Sequence, residues 1–193
     1  MTELEKAAIG LLYNAERDQK LAAARARAKD LCLEYNLTRS TQAEERLRLL
    51  RVLLAQCEDD VTIEPPFYVD YGYHIRIGKT FYANHGLVIL DGAPVTFGDN
   101  VRIGPNCCFS AAGHPLDLTQ RNAGLEYAKP ITVGNNVWIG MGVQVLPGVT
   151  IGDNSVIGAG SVVTRDIPAG VLAVGVPCCV AREIATKPRR MIL

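Results

Sequence analysis

Three histidines are present in this chain of 193 residues, and His114 is the one whose surroundings suit proton transfer. It lies in Ser110-Ala111-Ala112-Gly113-His114-Pro115, between a Gly that allows an unusual or closely packed backbone and a Pro that restricts it. An imidazole titrates near neutrality, so a His held this way can take the proton of a weak nucleophile such as a hydroxyl. No apolar period passes through His114, as it would through a core residue. His74 and His85 read as outward-facing residues with structural or surface roles, and Asn84, after the apolar Ala83, reads as a turn former or a polar group beside a site. Of the six cysteines, Cys107 with Cys108 and Cys178 with Cys179 form adjacent pairs, a poor arrangement for disulfides, and no C-x-x-C spacing occurs. Reduced thiols are expected, and no metal.

The elements that must hold these residues fall into two regions of different period. Residues 1–60 are rich in Ala, Leu, Glu and Arg and contain one Gly and no Pro. The apolar spacing predicts one helix through Leu4, Ala8, Leu11 and Leu12, a second over Leu21 to Leu33 and a third over Ala43 to Cys57. Thr41 and Glu44 predict a capping box for the third, and Pro65-Pro66 is read as ending the helical region.

Beyond that point the period is six. Val133, Ile139, Val145, Ile151, Ile157, Val163 and Ala169 recur at every sixth position, preceded by Ile77, Ala83 and Ile89 and by Phe97, Ile103 and Phe109. A second inward position falls four residues after each, at Val101, Cys107, Val137, Val143, Val149, Ser155, Ser161 and Ile167. Such a run specifies stacked triangular coils, three short strands per coil, with aliphatic side chains filling the prism and Gly permitting the corners. Residues 61–180 are therefore read as a β-helix and 181–193 as a tail. The run HPLDLTQRNAGLEYAKP, about 114–130, breaks the period and has a polar, helix-poor character. Because Phe109 and Val133 stay 24 residues apart, it reads as a loop extruded from one corner, with His114 at its mouth.

Composition narrows the function classes. Lys plus Arg and Asp plus Glu number 20 each, so there is no basic field for nucleic acid or a membrane surface. No apolar run has the length of a membrane span, and the charged first 30 residues do not read as a signal peptide, so a cytoplasmic protein is expected.

The chain resembles the maltose and galactoside O-acetyltransferases of the left-handed β-helix class along nearly its whole length. The resemblance is carried by Leu12-Tyr13-Asn14-Ala15, Glu64-Pro65-Pro66-Phe67, Asp70-Tyr71-Gly72, Ile77-Gly78 and Phe81-Tyr82-Ala83-Asn84. It continues through Gly113-His114-Pro115, Gly124-Leu125-Glu126-Tyr127, Lys129-Pro130-Ile131, Asn136-Val137-Trp138-Ile139-Gly140 and Gly175-Val176-Pro177-Cys178. It implies a mainly β fold, a left-handed parallel β-helix with an N-terminal helical segment, that moves the acetyl group of acetyl-CoA to a hydroxyl of a small sugar. His114 matches the family's base, and Asn84 a residue at the acceptor or acetyl group. The backbone N–H of Met141 matches an oxyanion donor. Asp70, Asp91 and Glu126 match the acceptor site, although Asp91 before Gly92 also reads as a turn residue. Trp138, Met141, Gly142, Ala159, Thr164 and Arg165 match the wall along which CoA lies. The family's sites fall between prisms of a cyclic homotrimer, which is the assembly expected here.

Two departures carry information. Cys179 stands where many relatives have an Arg that reaches the CoA phosphates, leaving Arg182, Lys187, Arg189 or Arg190 for that charge. Asp70 and Gly92 replace the galactoside branch's acceptor Ser and second carboxylate, which favours a maltose- or glucose-like acceptor. Other readings on the same pattern are acetyltransferases acting on a nodulation-type oligosaccharide, an antibiotic or an amino acid. A γ-carbonic-anhydrase-like or non-catalytic prism is a further class; the former would need three His placed across coils, a spacing His74, His85 and His114 lack.

Overall fold

The computed structural model describes residues 1–185. Helix α1 (Glu3–Ala8) opens on a capping box in which Glu5 N donates to Thr2 Oγ1 at 3.2 Å and Thr2 N to Glu5 Oε2 at 2.7 Å. It stops before Leu11 and Leu12 because Gly10 takes a positive φ of 75°, so the first predicted helix is shorter than its apolar pattern. Helix α2 (Gln19–Leu37) starts at Asp18, whose carboxylate accepts from Lys20 N and Leu21 N, and buries Leu21, Ala28, Cys32 and Tyr35. Helix α3 (Ala43–Leu53) buries Leu49, Leu50 and Leu53. Its cap position is Gln42 without a side-chain bond, so no capping box forms at Thr41. Cys57 lies in the strand Gln56–Cys57 rather than at the end of α3, and parallel pairing begins there, ahead of Pro65-Pro66.

The remainder is a left-handed parallel β-helix of three faces. The first stacks the strands Gln56–Cys57, Ile75–Ile77, Val95–Phe97, Ile131–Val133 and Thr150–Ile151. The second stacks Thr62–Ile63, Tyr82–Ala83, Arg102–Ile103, Trp138–Ile139, Val156–Ile157 and Val171–Val174. The third stacks Phe67–Val69, Leu87–Leu90, Cys108–Ser110, Gln144–Val145 and Val162–Val163. The register is the six-residue repeat itself: Val133 pairs with Phe97 and Ile151, Ile139 with Ile103 and Ile157, and Val145 with Phe109 and Val163. All of these side chains are buried, with an aromatic ladder of Phe81, Phe97 and Phe109 at ring separations of 5.3 and 5.1 Å. Cys107 packs inside, as its place in the repeat requires.

Three details differ from the repeat as read. Ala169 is exposed, while Ile167 bridges to Ile151 inside: one coil is shortened after Val163, and the six-residue step resumes from Ile167 to Ala173. The left-handed corner positions are shared between glycines, Gly86, Gly142, Gly148, Gly160 and Gly170, and residues such as Asn100, Asn106, Asn136 and Asn154, whose side chains tolerate positive φ. The glycines after the inward residues serve close stacking instead, since a Cβ at Gly140 would stand 2.6 Å from Ala159 N in the next coil. The strand Cys179–Glu183 folds back antiparallel on Val171–Val174, so residues 181–183 belong to a sheet and not to a tail. Among the described residues, no helix is long and apolar enough to cross a membrane.

Candidate active site

The third face delivers the chain to the corner where the period breaks. After Cys108–Ser110, the short strand Ala112–Gly113 pairs antiparallel with Tyr127–Ala128 and leads the loop out. A Cβ at Gly113 would stand 2.6 Å from the Tyr127 hydroxyl, so a side chain there would displace the Tyr127 ring that packs over this hairpin. Within the loop, α4 (Leu118–Asn122) is capped by Asp117, whose Oδ1 accepts from Gln120 N at 2.8 Å, a short helix in a stretch that reads as helix-poor. His114 stands at the exit, exposed, with Nδ1 3.0 Å from the carbonyl oxygen of Leu125. A carbonyl only accepts, so Nδ1 carries the hydrogen and Nε2 keeps its lone pair. That is the tautomer a general base needs.

Two depressions adjoin at this corner. One of about 300 Å³ is lined by His114, Glu16, Arg17 and Arg121, and a second of about 320 Å³ by Tyr13, Glu16, Arg25, Asp70, Tyr71 and Glu126. Glu16 borders both. Burial raises the Asp70 carboxyl above the usual carboxylate range; Glu126 adds to the effect, and the cations of Arg25 and Lys29 oppose it. Arg25 is committed to structure, donating to Tyr71 Oη at 2.7 Å and to Ala15 O at 2.9 Å. Carboxylates lining such a cleft suit the hydroxyls of a polyol. Of the residues here, Asp70 and Glu126 are anticipated from the sequence, whereas Tyr13, Glu16, Arg25 and Lys29 are not. They belong to the region read as helical, and the chain leaves α1 at Gly10, with its positive φ, before Tyr13 bridges to Glu126 in the loop.

Asp91 has a different place from the one expected. It is fully buried, its Oδ1 accepts from Asp70 N at 3.1 Å and Tyr71 N at 2.8 Å, and its Oδ2 lies 3.4 Å from His74 N. Its carboxylate is used up by the backbone and holds Asp70 rather than facing the cavity. Burial pushes its carboxyl up to about 7 against the lowering effect of those N–H donors. His74 is also more than a surface residue: its Nδ1 lies 2.7 Å from Asp91 O, it is half-buried, and burial lowers its pKa.

The other sequence-selected residues lie on a different edge. Asn84, Met141, Gly142 and Ala159 occupy successive corners between the second and third faces, with Trp138 on the adjoining strand. Trp138 and Met141 are 59% and 58% exposed, large apolar side chains left on the surface at this edge. Among the described residues, no acceptor pairs with the N–H of Met141. Asn84 Oδ1 accepts from His85 N at 2.7 Å, which leaves its Nδ2 donors available. Thr164 and Arg165 follow Val162–Val163 on the same corner as His114. Arg182 is exposed on the last strand beside Cys179; Lys187, Arg189 and Arg190 lie outside the described residues. One chain thus does not bring His114 and Asn84 together, because a whole face of the prism separates their corners.

Comparison with known proteins bears on this arrangement. A family model for the bacterial transferase hexapeptide (six repeats) matches residues 130–165, and one for the maltose acetyltransferase hexapeptide capping motif matches residues 6–58. The chain is 53% identical over 187 residues to a putative acetyltransferase of Saccharomyces cerevisiae, covering 97% of this chain and 95% of that protein. A solved structure of galactoside acetyltransferase in complex with coenzyme A matches with a TM-score of 0.93 at 48% identity, over 96% of this chain and 92% of the other. A maltose O-acetyltransferase from Clostridium difficile 630 matches with a TM-score of 0.93 at 44% identity, over 96% and 98% of the two chains.

Proposed function

The chain belongs to the maltose and galactoside O-acetyltransferases of the hexapeptide-repeat class, acyltransferases that use acetyl-CoA, and from that membership we propose the acceptor and the residues of the reaction. The acceptor is a small maltose- or glucose-like sugar. The observation that carries this reading is the Nδ1 bond of His114 to Leu125 O, which leaves Nε2 as an acceptor, with His114 lining a depression that shares Glu16 with the carboxylate-lined cavity. Asp70, Glu126 and Glu16 accept from the sugar's hydroxyls, and Asp91 positions Asp70. Gly92 contributes no side chain to that wall, in keeping with the maltose-type branch. Nε2 of His114 removes the proton of the attacking hydroxyl, whose oxygen forms a bond to the thioester carbonyl carbon. The N–H of Met141 receives the developing oxyanion, and Asn84 Nδ2 steadies the acetyl or acceptor group. When the carbon–sulfur bond breaks, His114 returns its proton to the departing thiolate.

Trp138, Met141, Gly142, Ala159, Thr164 and Arg165 form the CoA wall, and Arg182 supplies charge for its phosphates in place of the Arg that Cys179 replaces. Since His114 and Asn84 occupy different corners of one prism, they meet in a cyclic homotrimer, in which one subunit's His114 corner faces the Asn84 corner of the next. The reaction belongs in the cytoplasm, where its acetyl donor is made. The test is release of free thiol from acetyl-CoA with glucose, maltose, galactosides, aminoglycosides and chloramphenicol. Glucose or maltose should turn over fastest. Thiol release with an antibiotic and none with any sugar would overturn the reading.

A further inference from the structure

The segment Leu12-Tyr13-Asn14-Ala15 has no part in the chemistry above, yet it is bonded to the loop that carries the base. Tyr13 N donates to Glu126 O at 3.0 Å and Glu126 N to Tyr13 O at 2.8 Å, an isolated antiparallel bridge. One residue on, Asn14 Nδ2 donates to Ala123 O at 2.8 Å, while Asn14 Oδ1 accepts from Arg17 N at 3.0 Å. The Asn14 N–H is in turn held by Glu3 Oε2 at 2.5 Å, which ties α1 to the same point. Leu125, whose carbonyl orients His114, lies between the two pinned residues Ala123 and Glu126. The same segment is tied to α4 by Gly124 N, which donates to Arg121 O at 3.0 Å, and Leu125 N, which donates to Gln120 O at 3.2 Å, whereas among the described residues the exposed His114 ring makes a single bond, to Leu125 O.

We propose that Asn14 is a positioning residue for His114: by clamping the Ala123 carbonyl it fixes the Leu125 carbonyl, and through it the imidazole that faces the acceptor. The inference rests on His114 being the base. It also gives the N-terminal segment a role beyond lining the acceptor cavity through Tyr13 and Glu16. An exposed imidazole samples several orientations, and a base must be held within a narrow range of the proton it takes.

Asn14→Asp isolates the clamp, because a carboxylate still accepts from Arg17 N but presents no donor to Ala123 O. The expected result is a kcat about tenfold lower, the scale of one lost hydrogen bond, with the KM for acetyl-CoA within about twofold and Tm nearly unchanged. Amide exchange over residues 123–126 should speed up. Glu3→Ala should reproduce part of the loss, and Glu3→Gln, which keeps an acceptor oxygen for Asn14 N, should restore it. In a His114→Ala background, Asn14→Asp should cost nothing further, since it acts only through the imidazole. Wild-type kcat in Asn14→Asp, with His114→Ala inactive, would overturn the clamp and leave the base reading standing; an active His114→Ala would overturn the base reading itself. A loss of kcat that tracks a fall in Tm across Asn14→Asp and Glu3→Ala would also refute positioning, since it would report unfolding.

Discussion

If the reacting groups come from different corners of neighbouring prisms, two inactive variants should repair each other. His114 leaves the corner between the third and first faces and Asn84 the corner between the second and third, so the length of a face, on the order of 15 Å for four or five extended residues, separates them in one chain. That distance is too great for both to touch one acceptor hydroxyl and its acetyl donor. Consider His114→Ala and Asn84→Ala co-expressed in equal amounts and assembled at random into cyclic trimers. A site is complete when the subunit giving His114 carries the Asn84 substitution and the neighbour giving Asn84 carries the His114 substitution. Each condition holds for half of the subunits, so about one quarter of sites should be intact, and the mixture should recover about a quarter of wild-type turnover. The assay is free-thiol release from acetyl-CoA by co-purified, differently tagged subunits, with native mass spectrometry counting the mixed trimers. Mixed trimers no more active than the two parents would refute the shared site. A mass of one chain with full turnover would refute it more directly.

The remaining predictions concern single positions. His114→Ala should lower kcat by roughly 100-fold or more while CoA binding measured by calorimetry survives, because its wall is built from other residues; equal loss of both would mean that His114 matters for binding instead. Asp91→Asn probes the buried carboxyl. Its folded pKa, about 7, lies above the free-chain value near 3.9, so its stabilising contribution is full below about pH 4 and is lost as pH rises through 7. Wild-type Tm should therefore fall relative to that of Asp91→Asn between about pH 4 and 7 and level off above, and parallel Tm curves would show that the folded and free pKa values of Asp91 do not differ. Phe97→Ala removes the middle ring of the aromatic ladder and should cost about 3–5 kcal/mol in denaturant unfolding; a cost under about 1 kcal/mol would mean the neighbouring coils collapse into the gap.

The six-residue period made the prism legible because each inward position is a full coil from its ladder partner, so sequence spacing and strand register are one quantity. Phe97, Val133 and Ile151 show this, three residues far apart in sequence and adjacent in the first face. His114 was legible for a related reason: it stands where that period stops. The period is blind to what happens at a corner. It could not reveal that Ala169 yields its place to Ile167, because a shortened coil keeps the same apolar alphabet. Nor could it separate Asp91, whose carboxylate is consumed by three backbone N–H groups, from Asp70, whose carboxylate borders the cavity; both are acidic residues next to a strand end.

The helical region was less legible because its functional part is not helical. Tyr13 to Glu16 lie between α1 and α2, and their importance comes from partners more than a hundred residues away, Ala123 and Glu126. A helical period reports which face is buried and says nothing about a strap between helices. The rigid prism fixes the backbone at Gly113, but the imidazole one residue beyond is exposed and gains its direction from Leu125 O. With His114 as the proposed base, its precision would depend on a loop, and the loop's precision on the contacts it makes with the first 16 residues. On that proposal the segment matching the capping motif, residues 6–58, would hold a part of the site that the coils do not reach, through Tyr13 to Glu126 and Asn14 to Ala123.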